Sequence, residues 1–384
     1  MTGGGSGGHI TPILAVAAEL KKLQPGIKII YIGQKGDALA DVPAADPSID
    51  QVYSVRAGKF RRYHGEGLRQ LLDVPTLVKN MRDSLYVLIG MWQSWRLLRK
   101  LRPSVIFVKG GFVGVPVGLA AARLGIPYVT HDSDAIPGLA NRIIAKWAAL
   151  HTVALPREVY RYPKDKTLTV GIPLVAQYSL VTAAVKQQFR EELSIPAQAK
   201  MLFIIGGGLG AQRINDAVVA VMPHLLAEFN DLYVVHGVGR NNETAVRTAY
   251  DASLNEVSNK RVQVHGFLGD VYRYSGAADV VITRAGATNL AEFAVQGKAC
   301  IVIPSPFLTG GHQLKNAQYM ADKNAAVILD EAAVQADPNY LARAVSELLK
   351  DAAKRQSLGQ ALQQFGHHDA AHKLAVVLLE QANK

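Results

Sequence analysis

His9 ends a run in which positions 3, 4, 5, 7 and 8 are all glycine, and Ile10, Thr11 and Pro12 follow it. Glycines leave backbone N–H groups unshielded. Pro12 sits where a helix would begin, and Ile13, Leu14, Val16, Ala17 and Leu20 recur at helical spacing. A glycine turn feeding a helix N-terminus is a place to hold a phosphate or an oxyanion. His9, at the junction, could move a proton on whatever is bound there. A flexible tail is the alternative, and the periodic helix behind Pro12 argues against it.

A second turn strengthens the case. An apolar strand at 201–205 runs into Gly206, Gly207, Gly208 and Gly210, and helical sequence follows from Ala211. One such loop is a weak signal. Two, about half a chain apart, point to two Rossmann-like domains with parallel sheets facing each other across a cleft.

Other polar groups cluster at the expected ends of strands. Arg284-Ala-Gly-Ala-Thr-Asn-Leu-Ala-Glu292 follows an apolar run at 279–282. Its turn supplies N–H donors for a diphosphate, and Glu292 could accept from sugar hydroxyls. His312, Gln313 and Asn316 follow a strand at 299–303, suited either to sugar recognition or to helix capping. Phe267-Leu268 could flank a planar base or belong to the core. In the first half, Gly110-Gly111-Phe112 and His131-Asp132-Ser133-Asp134 follow strands at 104–108 and 127–131. The acidic cluster lacks a third ligand at useful spacing, so no metal is expected.

The elements alternate. In the first half, a helix at 11–23 precedes a strand at 27–32. A variable loop covers 33–66, and helical sequence runs to about Lys100 with a break near Pro75. Strands at 150–155 and 167–170 close that half. The second half repeats the plan, with strands at 201–205, 232–236, 261–264, 279–282, 299–303 and 325–329. The α/β rhythm predicts parallel sheets. The expected division is 1–172, 173–366, and a last helix within 367–384 that returns to the first domain. Only Met1 and Thr2 precede the first glycine turn, so the first strand looks absent, with the natural reading frame expected to start upstream.

Composition bounds the function. An apolar fraction of 49% against 19% charged fits a folded protein of two domains. Cys300 is the single cysteine, in an apolar strand, so it packs rather than reacts and no internal disulfide forms. No signal peptide is expected, and no uncharged run reaches membrane-spanning length. Between Arg56 and Arg102 stand eleven Lys/Arg and three Asp/Glu, net +8 of the chain's +11. Leu68, Leu71, Leu72, Leu77, Val78, Leu85, Leu88, Trp92 and Trp95 interleave with them, which is too apolar for nucleic acid and suits an anionic membrane surface. A core helix is the competing reading.

Together these motifs resemble the MurG family, the undecaprenyldiphospho-muramoylpentapeptide N-acetylglucosaminyltransferases of glycosyltransferase family 28. The match covers nearly the whole chain. The resemblance implies a GT-B fold and inverting transfer of GlcNAc from UDP-GlcNAc to the muramyl sugar of a polyprenyl-diphosphate-linked peptide acceptor. It implies no cofactor, no nucleic acid, and a peripheral place on the cytoplasmic face of the membrane. Donor contacts then fall on Phe267, Leu268, Arg284, Ala287, Thr288, Asn289, Leu290, Ala291, Glu292 and Gln313, with Ser6, Gly7, Gly8, Asp134 and Gly208. Phe267 would flank the uracil, Glu292 hold the ribose and Gln313 the GlcNAc hydroxyls. Acceptor contacts fall on Ser6, Gly7, Gly8, His9, Phe112, His131 and Asn215. His9 is the first candidate base and Asp132 the second. Three positions depart from the family pattern: Asp134 replaces an amide, Val175 an arginine and Gly208 a serine. A glycosyltransferase for another lipid such as diacylglycerol, a UDP-GlcNAc 2-epimerase, and an inactive sugar-nucleotide binder are the alternatives.

Overall fold

The computed structural model describes the chain except Ser6 and residues 59–73, 208–209 and 308–310; for residues 74–79 it describes the backbone. The expected contacts of Ser6 and Gly208, and Leu68, Leu71 and Leu72 of the basic stretch, lie outside the described residues. Two compact units emerge. One holds Met1–Ala176, Phe307–His312 and His367–Lys384, and the other Gln177–Pro306 and Gln313–Gly366.

The first unit runs α1 (Gly7–Leu23), β1 (Ile30–Gln34), α2 (Asp41–Ala45), β2 (Gln51–Val55), α3 (Val74–Leu101), β3 (Ile106–Val108), α4 (Gly114–Leu124), β4 (Tyr128–Asp132), α5 (Leu139–Ile144), β5 (Leu150–Val153) and β6 (Thr167–Thr169). The second runs α6 (Ala183–Glu192), β7 (Lys200–Ile205), α7 (Gln212–Glu228), β8 (Leu232–Gly237), α8 (Glu243–Ser253), α9 (Glu256–Asn259), β9 (Val262–His265), α10 (Val271–Ala277), β10 (Val280–Thr283), α11 (Ala287–Gln296), β11 (Ala299–Val302), α12 (His312–Ala321), β12 (Val327–Ile328), α13 (Glu331–Ala336), α14 (Pro338–Lys350) and α15 (Ala352–Gln363). The chain ends in α16 (Ala370–Ala382), which packs on α1 in the first unit.

The second unit is built on one parallel sheet of order β12-β11-β10-β7-β8-β9. Its central strands are buried and largely apolar because both faces are covered. In β7, Leu202 and Ile204 enter one core, while Met201, Phe203 and Ile205 enter the other. Cys300 lies in the second of these cores, where burial pushes its thiol up to about 12.

In the first unit β3-β4-β5-β6 form a parallel sheet, and β1 pairs with β2. Thr2 joins the two through bridges to Ile32 and Val108. Its N–H donates to Phe107 O at 2.8 Å, and Ile32 N–H donates to Met1 O at 2.9 Å. The slot expected to be empty therefore holds Thr2, bridged on both sides.

Other expectations need correction. α1 begins at Gly7 and carries Pro12 inside it, so His9 lies in the first helical turn and not in the loop before it. The supposed loop at 33–66 contains α2 and β2. The strand expected at 27–32 sits at Ile30–Gln34. α3 is continuous from Val74 through Pro75, which a helix tolerates in its first turn.

Candidate active site

In the first unit the site grows from three strand ends. The glycine turn after Thr2 is held from outside by Tyr31 of β1 and Asp37 of the segment that follows it. Asp37 accepts from Gly5 N–H at 3.0 Å and from Leu39 N–H at 3.0 Å, and Tyr31 donates its hydroxyl to Gly3 O. His9 is half-buried in the first turn of α1. Its Nδ1 lies 3.2 Å from Gly4 O. A carbonyl only accepts, so Nδ1 carries the proton and Nε2 the lone pair. Burial, then the charge of Lys109, lowers the imidazole to about 4, against the opposing pull of Asp134 and the Gly4 hydrogen bond. His9 is thus neutral near pH 7.

Gly110 and Gly111 leave room beside this ring. A Cβ on Gly110 would stand 3.6 Å from His9 Nε2, and one on Gly111 would stand 2.7 Å from Gly4 O and 3.5 Å from His9 Nδ1. Both have positive φ, so glycine alone fits. Phe112 closes the same turn, its Cε1 2.9 Å from where a Cβ on Gly5 would be.

The β4 end supplies a buried polar run. His131 is fully buried. Thr152 Oγ1 donates to Thr130 O at 2.8 Å and so accepts from His131 Nδ1–H at 3.1 Å. That leaves His131 Nε2 as a buried acceptor with no hydrogen-bond partner among the described residues. Burial, then Lys109, holds this imidazole well below its usual range. Asp132 is committed inside the unit: Oδ1 accepts from Gly138 N–H at 3.0 Å and Oδ2 from the Tyr162 hydroxyl at 2.8 Å. Burial raises its carboxyl despite these partners. Tyr162 in turn stacks on His151 with centroids 3.9 Å apart. The second candidate base thus anchors a turn. Two residues escaped the sequence reading. Asn141 donates to His131 O at 2.9 Å and faces Gly110. Lys109, 3% exposed, donates from Nζ to Ser133 Oγ at 2.6 Å.

In the second unit the expected donor residues divide. Gly286 caps α11 through its backbone, and Ala287, Thr288 and Asn289 sit half-exposed in the first turn, where helix N–H groups lack internal partners. Leu290 and Glu292 are buried on the same helix, with Ala291 between them half-buried. Burial raises the Glu292 carboxyl to about 8, although it accepts a hydrogen bond from Tyr178. Gln313 Oε1 accepts from Ser305 N–H at 2.9 Å, and Asn316 Nδ2 donates to Ala285 O at 3.0 Å, tying α12 to two strand ends. Leu268 is half-buried against the core. Phe267 is exposed, and the Arg240 guanidinium lies 4.2 Å from its ring centroid. Arg240, like Tyr178, gave no signal in the sequence beyond its type.

Two expected contacts are otherwise engaged. Arg284 pairs with Glu331 and donates to Ile303 O at 3.1 Å. Asn215 is 1% exposed; its Nδ2 donates to Val238 O at 3.0 Å and its Oδ1 faces His236 Nε2 at 3.1 Å. Both brace strands in the second unit. Among the described residues no group of three His, Cys, Asp or Glu is placed to hold a metal.

α3 carries an inverted pattern. Asp83, Gly90, Ser94 and Leu98 form its buried face. Met81, Leu85, Leu88, Ile89 and Trp92 are exposed, and their spacing puts them on one stripe. Arg96 lies over the Trp92 ring at 4.9 Å, and Arg82 over Tyr86 at 5.5 Å. Trp95 is half-buried against the core, so only one of the two tryptophans expected outward is so placed. No described helix is long and apolar enough to cross a membrane.

Comparison with known proteins fits this geometry. Residues 1–152 match the glycosyltransferase family 28 N-terminal domain, and residues 201–374 match the family 28 C-terminal domain. The UDP-N-acetylglucosamine–N-acetylmuramyl-(pentapeptide) pyrophosphoryl-undecaprenol N-acetylglucosamine transferase of Natranaerobius thermophilus is 30% identical over 380 residues, 98% of each chain. The crystal structure of Acinetobacter baumannii MurG superposes with a TM-score of 0.71 at 22% identity, over 99% of this chain and 98% of that one. The UDP-GlcNAc 2-epimerase of Neisseria meningitidis gives 0.65 at 13% identity over 99% and 98%. Fold likeness therefore extends to both chemistries. Both family domains, matched in order, and 30% identity along nearly the full length decide between them: the chain belongs to glycosyltransferase family 28, with the two-domain GT-B fold.

Proposed function

We propose that the protein transfers GlcNAc from UDP-GlcNAc to the muramyl hydroxyl of a polyprenyl-diphosphate-linked muramyl-peptide, with inversion. The observation that carries the reading is His9: a neutral imidazole with its proton on Nδ1, fixed by Gly4 O in the first turn of a glycine-fed helix. In this reading His9 Nε2 takes the proton of the acceptor hydroxyl as its oxygen attacks the anomeric carbon from the face opposite UDP. The C1–O bond to the diphosphate breaks, and UDP leaves with the electron pair. The unpartnered N–H groups opening α11 stabilise the charge that develops on the departing diphosphate. Glu292 accepts from the ribose, Gln313 holds the sugar, and Phe267 flanks the base. Asp132 keeps the β4 turn in place.

The apolar stripe of α3 and its arginines dock the enzyme peripherally on the anionic cytoplasmic face of a membrane, where a polyprenyl acceptor resides. A helix that turns Met, Leu, Ile and Trp outward while burying Asp, Gly and Ser supports this better than it supports a core helix.

The deciding experiment incubates the protein with labelled UDP-GlcNAc and a lipid I analogue. The expected product is the β-linked disaccharide lipid. Label transferred to diacylglycerol, or donor epimerised at C2 without acceptor, would overturn the assignment.

A further inference from the structure

Lys109 has no role in the scheme above, yet it is the buried cation closest in sequence to the glycines that touch His9. Its backbone is fixed: Lys109 N–H donates to Thr2 O at 3.0 Å. A Cβ on Gly3 would stand 3.4 Å from Lys109 Cβ and 3.4 Å from His9 O, so the lysine stem and the first turn of α1 share one wall. An ammonium carries three N–H donors. Among the described residues Nζ makes one hydrogen bond, to Ser133 Oγ. The carboxylate of Asp132 is already committed to Gly138 and Tyr162. A cation 3% exposed with two idle donors is costly to bury unless something anionic completes it.

We propose that Lys109 binds a non-bridging oxygen of the acceptor's diphosphate beside the first turn of α1. This rests on the transferase reading given above. A lysine suits the role as a compact point charge for phosphate. The groups facing it are Asp132 and Asp134 from the β4 end, His131 from β4 and His9 from α1. Burial lowers the ammonium to about 8, with both aspartates opposing. Both histidines are already neutral at that pH. The acceptor should therefore lose affinity as pH rises through about 8, where the cation is discharged.

The test is steady-state kinetics with a water-soluble lipid I analogue from about pH 6.5 to about 9.5. Lys109→Met should raise the acceptor KM about tenfold or more and leave the donor KM within about twofold. Lys109→Arg should keep the acceptor KM near that of the wild type and move the alkaline loss of kcat/KM for acceptor beyond the range measured, because arginine does not deprotonate there. A rise in donor KM instead would assign the diphosphate to UDP-GlcNAc and overturn the proposal. So would unchanged KM values with a lowered melting temperature, or an alkaline limb that Lys109→Arg does not move. If Lys109→Met fails to fold, the arginine variant's limb decides alone. Wild-type protein that forms no disaccharide lipid at any pH would overturn the transferase reading itself, and this proposal with it.

Discussion

The glycine turns that open α1 and α7 each follow a strand position in a parallel sheet and lead into a long helix, yet their surroundings differ in kind. Around the first lie His9, Lys109, His131, Asp132 and Asp134, with the named imidazoles, Lys109 and Asp132 moved from their ordinary proton affinities by burial. Under the second lies a neutral lattice: Asn215 bridges Val238 O and His236, and His236 meets the Tyr250 hydroxyl at 3.0 Å. Gly210 there has positive φ, and a Cβ would come within 2.1 Å of Val238 O, so the turn is packed down rather than opened. Burying charge costs several kcal/mol and persists where a proton or an anion must be handled. The same supersecondary unit borders buried, charge-bearing groups in one place and a neutral hydrogen-bonded lattice in the other.

Removing the proton acceptor should break the contrast most sharply. His9→Ala is expected to lower kcat about a hundredfold or more while leaving UDP-GlcNAc binding, measured by calorimetry, unchanged. Near-normal turnover would move the base elsewhere, and Asp132 would have to shed two hydrogen bonds to serve.

Acid should separate the units next. His131 and His151 are buried and neutral, His151 lowered to about 4 and His131 held well below its usual range by burial, and His9 shares the direction. The unfolded chain binds protons at these sites from about pH 6.5 downward, so stability present above that pH is lost as pH falls toward 4, by up to about 1.4 kcal/mol per pH unit for each site. In the second unit His236, lowered to about 3, has the same sign, but Glu292 opposes it. A carboxyl raised to about 8 favours the fold below its usual range and loses that favour as pH rises through 8. Hydrogen exchange at pH 7 and pH 5 should show β3, β4 and β5 losing more protection than β7, β8 and β10. Equal losses would remove the electrostatic distinction between the units.

How far the sequence reveals this contrast depends on what each residue type looks like without neighbours. β7, β10 and β11 carry runs of buried apolar residues because both sheet faces are covered, so their turns were legible as strand ends. β2 was not: most of Gln51–Val55 is exposed and only Val55 is buried, so no apolar run marks it. His9 stands out in the sequence because a run of glycines leads into it. Lys109 follows three buried strand residues, and a lysine there reads as solvated. Asn215 and Arg284 carry polar types that suit ligands, but the acceptors they meet come from Val238 and Glu331, distant in sequence. Pro12 misled because a proline opens helices more often than it sits inside them, and here the glycine turn itself begins the helix.

Donor recognition should respond more modestly. Glu292→Gln is expected to weaken UDP-GlcNAc binding about tenfold at pH 8.5, since an amide accepts with one oxygen where the carboxylate has two. In the wild type, affinity should rise with pH through about 8 as the carboxyl ionises, and the variant should be flat. That trend has the opposite sign to the alkaline loss expected for the acceptor. A flat wild-type profile would mean that the ribose does not meet Glu292.

The smallest effect expected is on α3, and it separates two tryptophans three residues apart. Trp92 is 57% exposed on the outward stripe, whereas Trp95 packs partly on the core formed with Leu98, Val117 and Ala121. Moving an exposed indole into a lipid interface removes apolar surface from water, and losing it should cost about 1 kcal/mol, or several-fold in vesicle affinity. Trp92→Ser should weaken binding to anionic vesicles by that factor, keep the melting temperature, and leave turnover on a soluble acceptor intact. Trp95→Ser should lower the melting temperature, because a cavity opens against the core. Added salt should weaken vesicle binding of wild type and Trp92→Ser alike, since Arg82, Arg96 and Arg99 remain in both and their charges are screened. If Trp92→Ser melts early and binds vesicles as well as the wild type, the stripe belongs to an internal contact and the docking surface lies on another face of the first unit.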